Sequence, residues 1–221
     1  MNKRYSVKRC EENRLPLVDW DSPAWSGAET LDIAGLMGPE PLFRPVTQAR
    51  LLYNSEALHV IFRVQDRYVR GVTKEINGPV WEDSCVELFF APDGNLPLRY
   101  FNLEVNCVGT ALMHYNRKPR EDQDILDPAL IRKIKIASSL KGPFEEERTG
   151  DLNWTLAYAL PFDLMQTHVS IDRPEPGVQW KANLYKCADK SSNPHFLTWS
   201  PVRNAVPDFH LPAFFGDLLF S

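Results

Sequence analysis

The segment VWEDSCVELFFAP (residues 80–92) sets a tryptophan and two acids directly before a run that alternates as a β-strand does. Successive side chains of a strand point to opposite faces. Val86, Leu88 and Phe90 therefore form one apolar row, and Glu87 projects from the opposite face. Glu87 is either a solvated residue of an edge strand or part of a polar site that neighbouring strands complete.

The same alternation recurs along the chain and predicts its fold class. Turn-rich pieces such as NSEA and PDGNLP separate the alternating runs, which is typical of antiparallel sandwiches. We therefore predict an all-β protein, a single antiparallel β-sandwich domain of jelly-roll or immunoglobulin-like type over residues 1–221. Nine runs carry the alternation: QARLLYN (48–54), ALHVIFRVQ (57–65), CVELFFAP (85–92), RYFNLEVNC (99–107), TALMHYN (110–116), LIRKIKIA (130–137), NWTLAYALP (153–161), VQWKANLYKCA (178–188) and HFLTWSP (195–201).

Two segments do not follow the strand pattern. PFDLMQTH (161–168) begins with a proline and predicts one or two helical turns. The acidic stretch GPFEEERTGD (142–151) predicts an exposed hairpin or loop.

Composition excludes two classes of protein. The net charge is −4 and basic residues are scattered, which is not the electrostatic footprint of a nucleic-acid binder. No apolar segment follows the N-terminal MNKRYSVKRC, and no apolar run reaches about 18 residues, so neither a signal peptide nor a membrane span is predicted.

The four cysteines lie far apart with no CxxC pair, which excludes the usual zinc and redox spacings. Cys85, Cys107 and Cys187 fall within strand-like runs, where buried thiols are the default. One or two disulfides remain an alternative if the protein is exported.

The six tryptophans divide into three pairs by their neighbours. Trp20 and Trp25 lie in a loop-like stretch and are expected to plug the sandwich. Trp154 and Trp180 fall in phase with aliphatic residues and should be buried. The aromatic residues least committed to a core row are Trp81 and Trp199.

Several strands carry polar groups on the face opposite their apolar row. RYFNLEVNC presents Asn102, Glu104 and Asn106, and other runs present the groups Gln179, Lys181, Asn183 and Tyr185, and His59, Arg63 and Gln65. If these strands are neighbours, they form a concave polar surface. Such a surface suits sugars, whose hydroxyls need planar hydrogen-bonding partners and whose C–H faces pack on aromatic rings.

The ordered series of motifs resembles the family 9 carbohydrate-binding modules and the related DOMON-like sandwiches, from about residue 16 to the C-terminus. The motifs are ARLLYNSEALHVIFRVQD, VWEDSCVELFFAP, YFNLEVNCVGT, WTLAYALPFDLM, VQWKANLYKCAD, LTWSPV and FHLPAFFGDLLF. The resemblance implies a non-catalytic module in which two tryptophans sandwich a sugar, often at its reducing end, while a glutamate hydrogen-bonds hydroxyls.

Carried onto this chain, the resemblance implies a site with Trp81 and Trp199 as stacking walls. The implied hydrogen-bonding groups are Glu87, Glu104, Asn106 and Asn183. The expected partner is a carbohydrate, with glucan or xylan fragments as candidates. No cofactor is expected to be required, although family members can hold structural calcium, for which Asp66, Asp83 and Asp93 are candidate oxygen donors.

Three other functions remain open at this stage. Glu87 and Glu104 could serve as the acid and base of a glycoside hydrolase. Some DOMON proteins bind haem through methionine and histidine, but the adjacent Met113 and His114 would point to opposite faces. A scaffold without sugar affinity is the third alternative, and it predicts that Trp81 is packed under a loop.

Overall fold

In the part of the chain that the structure describes, fourteen strands form two sheets that share the strand β1. The computed structural model describes residues 3–10 and 17–221. The strands are β1 (Arg4–Arg9), β2 (Leu31–Asp32), β3 (Gly35–Met37), β4 (Val46–Tyr53), β5 (Ala57–Val69), β6 (Cys85–Ala91), β7 (Tyr100–Asn106), β8 (Ala111–Lys118), β9 (Asp122–Ile125), β10 (Lys135–Ser138), β11 (Arg148–Pro161), β12 (Gln179–Cys187), β13 (Phe196–Thr198) and β14 (Gly216–Phe220).

Among the described residues, helical structure is confined to short turns. They are the helices α1 (Pro128–Ile131) and α2 (Phe162–Met165) and the 3-10 turns Pro23–Trp25, Val80–Glu82 and Pro212–Phe214. Within the described ranges, none of these helices has the length and apolar character needed to span a bilayer.

The strand order runs β10-β11-β5-β4-β1-β14-β12-β6-β7-β8-β9. The first sheet comprises β14, β12, β6, β7, β8 and β9, with β13 and β3 added beside β12, and the second comprises β4, β5, β11 and β10, with β2. Residues 4–7 of β1 pair with β14 and residues 8–9 pair with β4, parallel in both cases. The other pairings are antiparallel, as the sequence predicts for a sandwich.

The core lies between the sheets and takes its side chains from the apolar rows identified in the sequence. Val86, Leu88 and Phe90 of β6 are fully buried there. The Phe90 ring stacks on that of Trp180 with 5.6 Å between centroids. Trp154 lies in the same core, so the predictions of burial for both tryptophans are confirmed.

A second apolar cluster covers the outer face of the second sheet. Trp20 and Trp25 pack there on Ile61, and the guanidinium groups of Arg50 and Arg63 lie 4.3 and 4.5 Å from the Trp20 ring. Both tryptophans are 4% exposed, but they cover the outer face of the second sheet rather than plug the space between the sheets.

The polar row of β5 lies on this outer face, because it shares the phase of Ile61. The prediction that His59, Arg63 and Gln65 contribute to the same surface as Glu87 is therefore wrong. β5 belongs to the second sheet and β6 to the first.

Two segments depart from the predicted elements. The run 130–137 is a strand only from Lys135, because the Asp127 carboxylate accepts a hydrogen bond from Ala129 N at 2.7 Å and caps α1. The last four residues of 142–151 begin β11 rather than a loop. The helical turn predicted in 161–168 is confirmed as α2.

Candidate binding site

A cavity of about 300 Å³ opens on the outer face of the first sheet. Its floor consists of side chains from β6, β7, β8 and β12, and its rim consists of loop and turn residues together with Gln123 of β9 and Phe196 of β13. The floor residues are Glu87, Phe89, Asn102, Glu104, Leu112, His114 and Cys187, and the other lining residues are Trp81, Arg120, Gln123, Asp189, Phe196, Pro207, Asp208, Phe209 and His210.

Trp81 stands at the mouth of this cavity, and the 3-10 turn that carries it is anchored on both sides. Val80 is fully buried, whereas Trp81 remains 39% exposed. Asp189 N donates to Trp81 O at 3.1 Å, and Lys190 N donates to Glu82 O at 3.0 Å. The turn before β6 is thereby tied to the residues that follow β12, which holds the indole at the rim.

Glu87 and Glu104 are direct cross-strand partners on β6 and β7. Their exposed fractions are 2% and 5%. The edge-strand interpretation of Glu87 is wrong, because β6 lies between β12 and β7. Asn102 Nδ2 donates to Glu104 Oε1 at 2.8 Å, which fixes that carboxyl on the floor.

Burial governs the protonation of the floor. It raises the pKa of Glu104 to about 7, and burial together with Cys187 and Glu104 raises the pKa of Glu87 well above its usual range. Burial and the Glu82 carboxylate raise the pKa of Asp189 to about 6. Since two carboxylates side by side in a desolvated site resist joint ionisation, the floor offers both donors and acceptors near neutral pH.

The Oε2 atom of Glu87 is buried and has no hydrogen-bond partner among the described residues. Its other oxygen, Oε1, accepts a bond from the Cys187 thiol at 3.1 Å. Most buried polar atoms in proteins are paired. The unpaired oxygen therefore marks a position where a ligand atom would supply the missing hydrogen bond.

Loop residues that the sequence did not identify complete the rim. Arg120 in the β8–β9 turn forms an ion pair with Asp208 at 2.7 Å. The Tyr100 hydroxyl and His210 Nδ1 share a hydrogen bond of 2.8 Å, and burial lowers the pKa of His210 to about 4. No alternation signal exists for these loop positions. Asn102, in contrast, shares the phase of Glu104, and the sequence already places it on the polar face of its strand.

Trp199 does not line the cavity. It is 3% exposed and lies in the core between the sheets, so the prediction that it forms an exposed wall is wrong. In the run 195–201 it has the same phase as the core residue Leu197. Phe196 has the opposite phase, is partly exposed, and is the residue of this run that reaches the cavity.

Asn106 and Asn183 project from the correct face but are covered by neighbouring segments, so their predicted place in the open site is wrong. Both are 0% exposed. Asn106 Nδ2 donates to Asp83 Oδ2 and Thr73 O. The Asn183 side chain bonds the backbone of Ser200: its Nδ2 donates to Ser200 O, and its Oδ1 accepts from Ser200 N. Each amide therefore crosslinks the fold.

The aspartates named as candidate calcium donors do not come together in the described residues. Asp83 pairs with Arg70 and accepts from Thr73 N, Asp66 lies 3.6 Å from Lys186 Nζ, and Asp93 accepts from Asn95 N. In the described part of the chain, the carboxylate oxygens of these three aspartates do not form a group within 4.8 Å of one another.

The phases of Met113 and His114 agree with the sequence. Met113 is buried in the core, and His114 lines the cavity on the other face of β8. The two side chains cannot ligate one haem iron from the same side of the sheet.

Solved structures of other proteins share this architecture. A candidate carbohydrate-binding protein from Bacteroides uniformis is 32% identical to the chain, with a TM-score of 0.89 and coverage of 100% of both chains. A family 9 module from Caldicellulosiruptor kristjanssonii shares the fold with a TM-score of 0.63. Its complexes with cellotriose and glucose are 13% and 12% identical and cover 99% of this chain and 93% and 96% of their own.

No curated protein matches the chain. The sequence model of carbohydrate-binding family 9, however, matches residues 27–220. This span contains the strands β2 to β14 and every residue that lines the cavity. The all-β sandwich and the family resemblance are confirmed together, and the chain belongs to carbohydrate-binding family 9.

Proposed function

We propose that the chain is a non-catalytic module that binds a mono- or oligosaccharide in the Trp81 cavity. The observation that carries the proposal is the combination of a half-exposed indole at the rim with buried polar groups on the floor. A pyranose presents an apolar C–H face suited to an aromatic plane and hydroxyls that both donate and accept. Trp81 supplies the plane, and Glu87, Glu104 and Asn102 supply the polar groups.

Phe196 is the candidate for the second aromatic contact. It lines the cavity, and its ring packs edge-on to Phe209 with 6.2 Å between centroids. We place the sugar between Trp81 and the Phe196 side of the rim, with its hydroxyls directed towards Glu87 and Glu104.

Two complexes of one structural neighbour guide the choice of ligand. The Caldicellulosiruptor kristjanssonii module of the same fold was solved with cellotriose and with glucose. Glucose and short β-glucans are therefore the first ligands to test, and xylose and xylan fragments are the second. Reduced alditols test whether a reducing end is required.

The position of the two glutamates argues against hydrolysis. A glycosidase sets its carboxyl groups on either side of the scissile bond. Glu87 and Glu104 are cross-strand neighbours on one sheet, so both approach a ligand from the floor. The scaffold alternative predicts a tryptophan packed under a loop, whereas Trp81 is 39% exposed and lines the cavity.

Titration calorimetry of the purified chain against glucose, cellotriose, xylose and their alditols tests the proposal. We expect saturable heat that is weakened at least about tenfold, or about 1.4 kcal/mol, by Trp81→Ala. Trp81→Phe should retain part of the affinity because a ring remains. The control Leu42→Ala removes an 84% exposed side chain outside the cavity and should have no effect.

A folded protein that gives no heat with any of these sugars would contradict the proposal. Release of reducing sugar from cellotriose by the purified chain would contradict its non-catalytic part. Loss of that release in Glu87→Gln would then assign the hydrolase reaction to this cavity.

A further inference from the structure

Two thiols and a carboxyl group converge beneath the cavity. Cys85 of β6 and Cys187 of β12 are direct cross-strand partners, and Glu87 follows two residues along β6 on the same face. Their ligand atoms all lie within 4.8 Å of one another. All three residues are at most 2% exposed. In the described part of the chain, this is the one such group of histidine, cysteine, aspartate and glutamate side chains.

The spacing of these atoms suits a tetrahedral cation. Zinc binds sulfur at about 2.3 Å and carboxylate oxygen at about 2.1 Å, which sets donor atoms about 3.6 to 3.8 Å apart. Cys187 Sγ and Glu87 Oε1 are 3.1 Å apart, so small side-chain rotations would accommodate the ion. Two sulfur donors favour zinc, cadmium or cobalt over calcium or magnesium, which prefer oxygen.

A second observation also points to a ligand. Glu87 Oε2 is buried without a hydrogen-bond partner among the described residues. The charged groups that line the same cavity are the acids Glu104 and Asp189, and an Arg120 that is already paired with Asp208. A divalent cation would satisfy the unpaired oxygen and offset the excess of carboxyl groups.

We propose that Cys85, Cys187 and Glu87 form a binding site for a thiophilic divalent cation, with zinc as the best match to the donor set. Each thiol, and the Glu87 carboxyl when it is protonated, releases its proton to solvent as its sulfur or oxygen bonds the metal. Glu87 and Cys187 line the cavity and Cys85 lies behind them, so the fourth coordination position faces the cavity and takes a water molecule. This site does not depend on sugar binding.

Cobalt titration of the reduced, chelator-treated full chain tests the site. We expect one cobalt ion per chain, a thiolate-to-cobalt charge-transfer band, the visible bands of tetrahedral cobalt, and displacement by zinc. Cys85→Ser and Cys187→Ser should each weaken binding at least about tenfold and reduce the band. Glu87→Gln should weaken binding while the band remains.

Cys107→Ala and Cys10→Ser are matched controls, because these cysteines lie outside the group. Both should bind cobalt as the unmodified chain does. Cadmium NMR of the unmodified chain gives the number of sulfur ligands directly and does not depend on whether a variant folds.

A reduced, folded chain that gives no charge-transfer band would overturn the proposal, as would a band that persists in the Cys85→Ser/Cys187→Ser double variant. Thiol titration of the denatured, unreduced protein comes first. Two missing thiols traced to Cys85 and Cys187 would mean a disulfide and would also overturn it. Sugar titrations of the metal-free chain are read separately, so failure of one proposal leaves the other intact.

Discussion

Glu104 shows how the environment of one residue affects the whole fold. Burial raises its pKa to about 7, so the folded chain holds the proton more tightly than the unfolded chain does. The stabilising contribution of this group is fully present below the pKa of the unfolded state, near 4.5. It is lost as the pH rises through the folded value.

The free energy of unfolding of the unmodified chain should therefore fall between pH 5 and pH 8 as Glu104 ionises. In Glu104→Gln it should fall less over the same range. A shift of this size corresponds to about 3 kcal/mol of unfolding free energy. Glutamine retains the oxygen that accepts from Asn102. Urea denaturation at both pH values measures the difference, with the exposed Glu145→Gln as control. Parallel pH profiles for the unmodified chain and Glu104→Gln would contradict the expectation.

Sequence alternation located the residues of the site where strands carry them, and failed where loops cover them. Strand phase placed Glu87, because it fixes which face a side chain takes, whereas Trp81 lies in the 3-10 turn before β6 and was assigned through the family resemblance. Asn106 was assigned to the correct face, but phase cannot show that the loop containing Asp83 covers it. Arg120 and His210 lie in loops, where no periodicity exists.

At the scale of elements, the connection between β5 and β6 determines where Trp81 stands. The Asp83 carboxylate is 0% exposed, pairs with Arg70, and accepts from Thr73 N and Asn106 Nδ2 at 2.9 Å each. These contacts join the loop to the end of β7. The indole lies two residues before this anchor.

Asp83→Ala should lower the free energy of unfolding by about 3 to 5 kcal/mol, because the substitution leaves a guanidinium and two buried donors unpaired. Sugar affinity in the surviving folded fraction should also fall. Chemical denaturation measures the first effect and calorimetry the second. Asp151→Ala breaks the exposed pair with Arg67 and should cost less than about 1 kcal/mol. Equal losses in the two variants would refute this account of the loop.

The misplacement of Trp199 also arises at the level of elements. β13 has three residues, too few for its phase to be evident beside a loop. The core has room for the indole because Gly216 of β14 lies against it. A Cβ at this position would lie 2.8 Å from the ring. A glycine that permits such an approach is not recognisable without the pairing of β12 with β14.

At the scale of the whole molecule, β1 is the strand on which both sheets depend. Val7 is 0% exposed and pairs with Phe220. Val7→Asp should cost about 4 kcal/mol or more, because it buries an unpaired charge. Core tryptophan fluorescence and far-ultraviolet circular dichroism should still change together, since one core serves both sheets.

Val46→Asp is the matched control. It makes the same substitution at a strand position that is 52% exposed, and its cost should stay within about 0.5 kcal/mol. Separate transitions for the two probes in Val7→Asp would show that the sheets unfold independently.

The parallel pairing of β1 with β14 has a consequence for the order of events during synthesis. Arg4 is paired with Asp217 and Val7 with Phe220, so this contact closes a loop of nearly the whole chain. Contacts of such long range form slowly. While the ribosome is still translating, residues 4–7 of β1 lack their partner β14, and this unpaired edge of β1 remains open to association with other nascent chains. The sandwich therefore closes only after its last strand has been made.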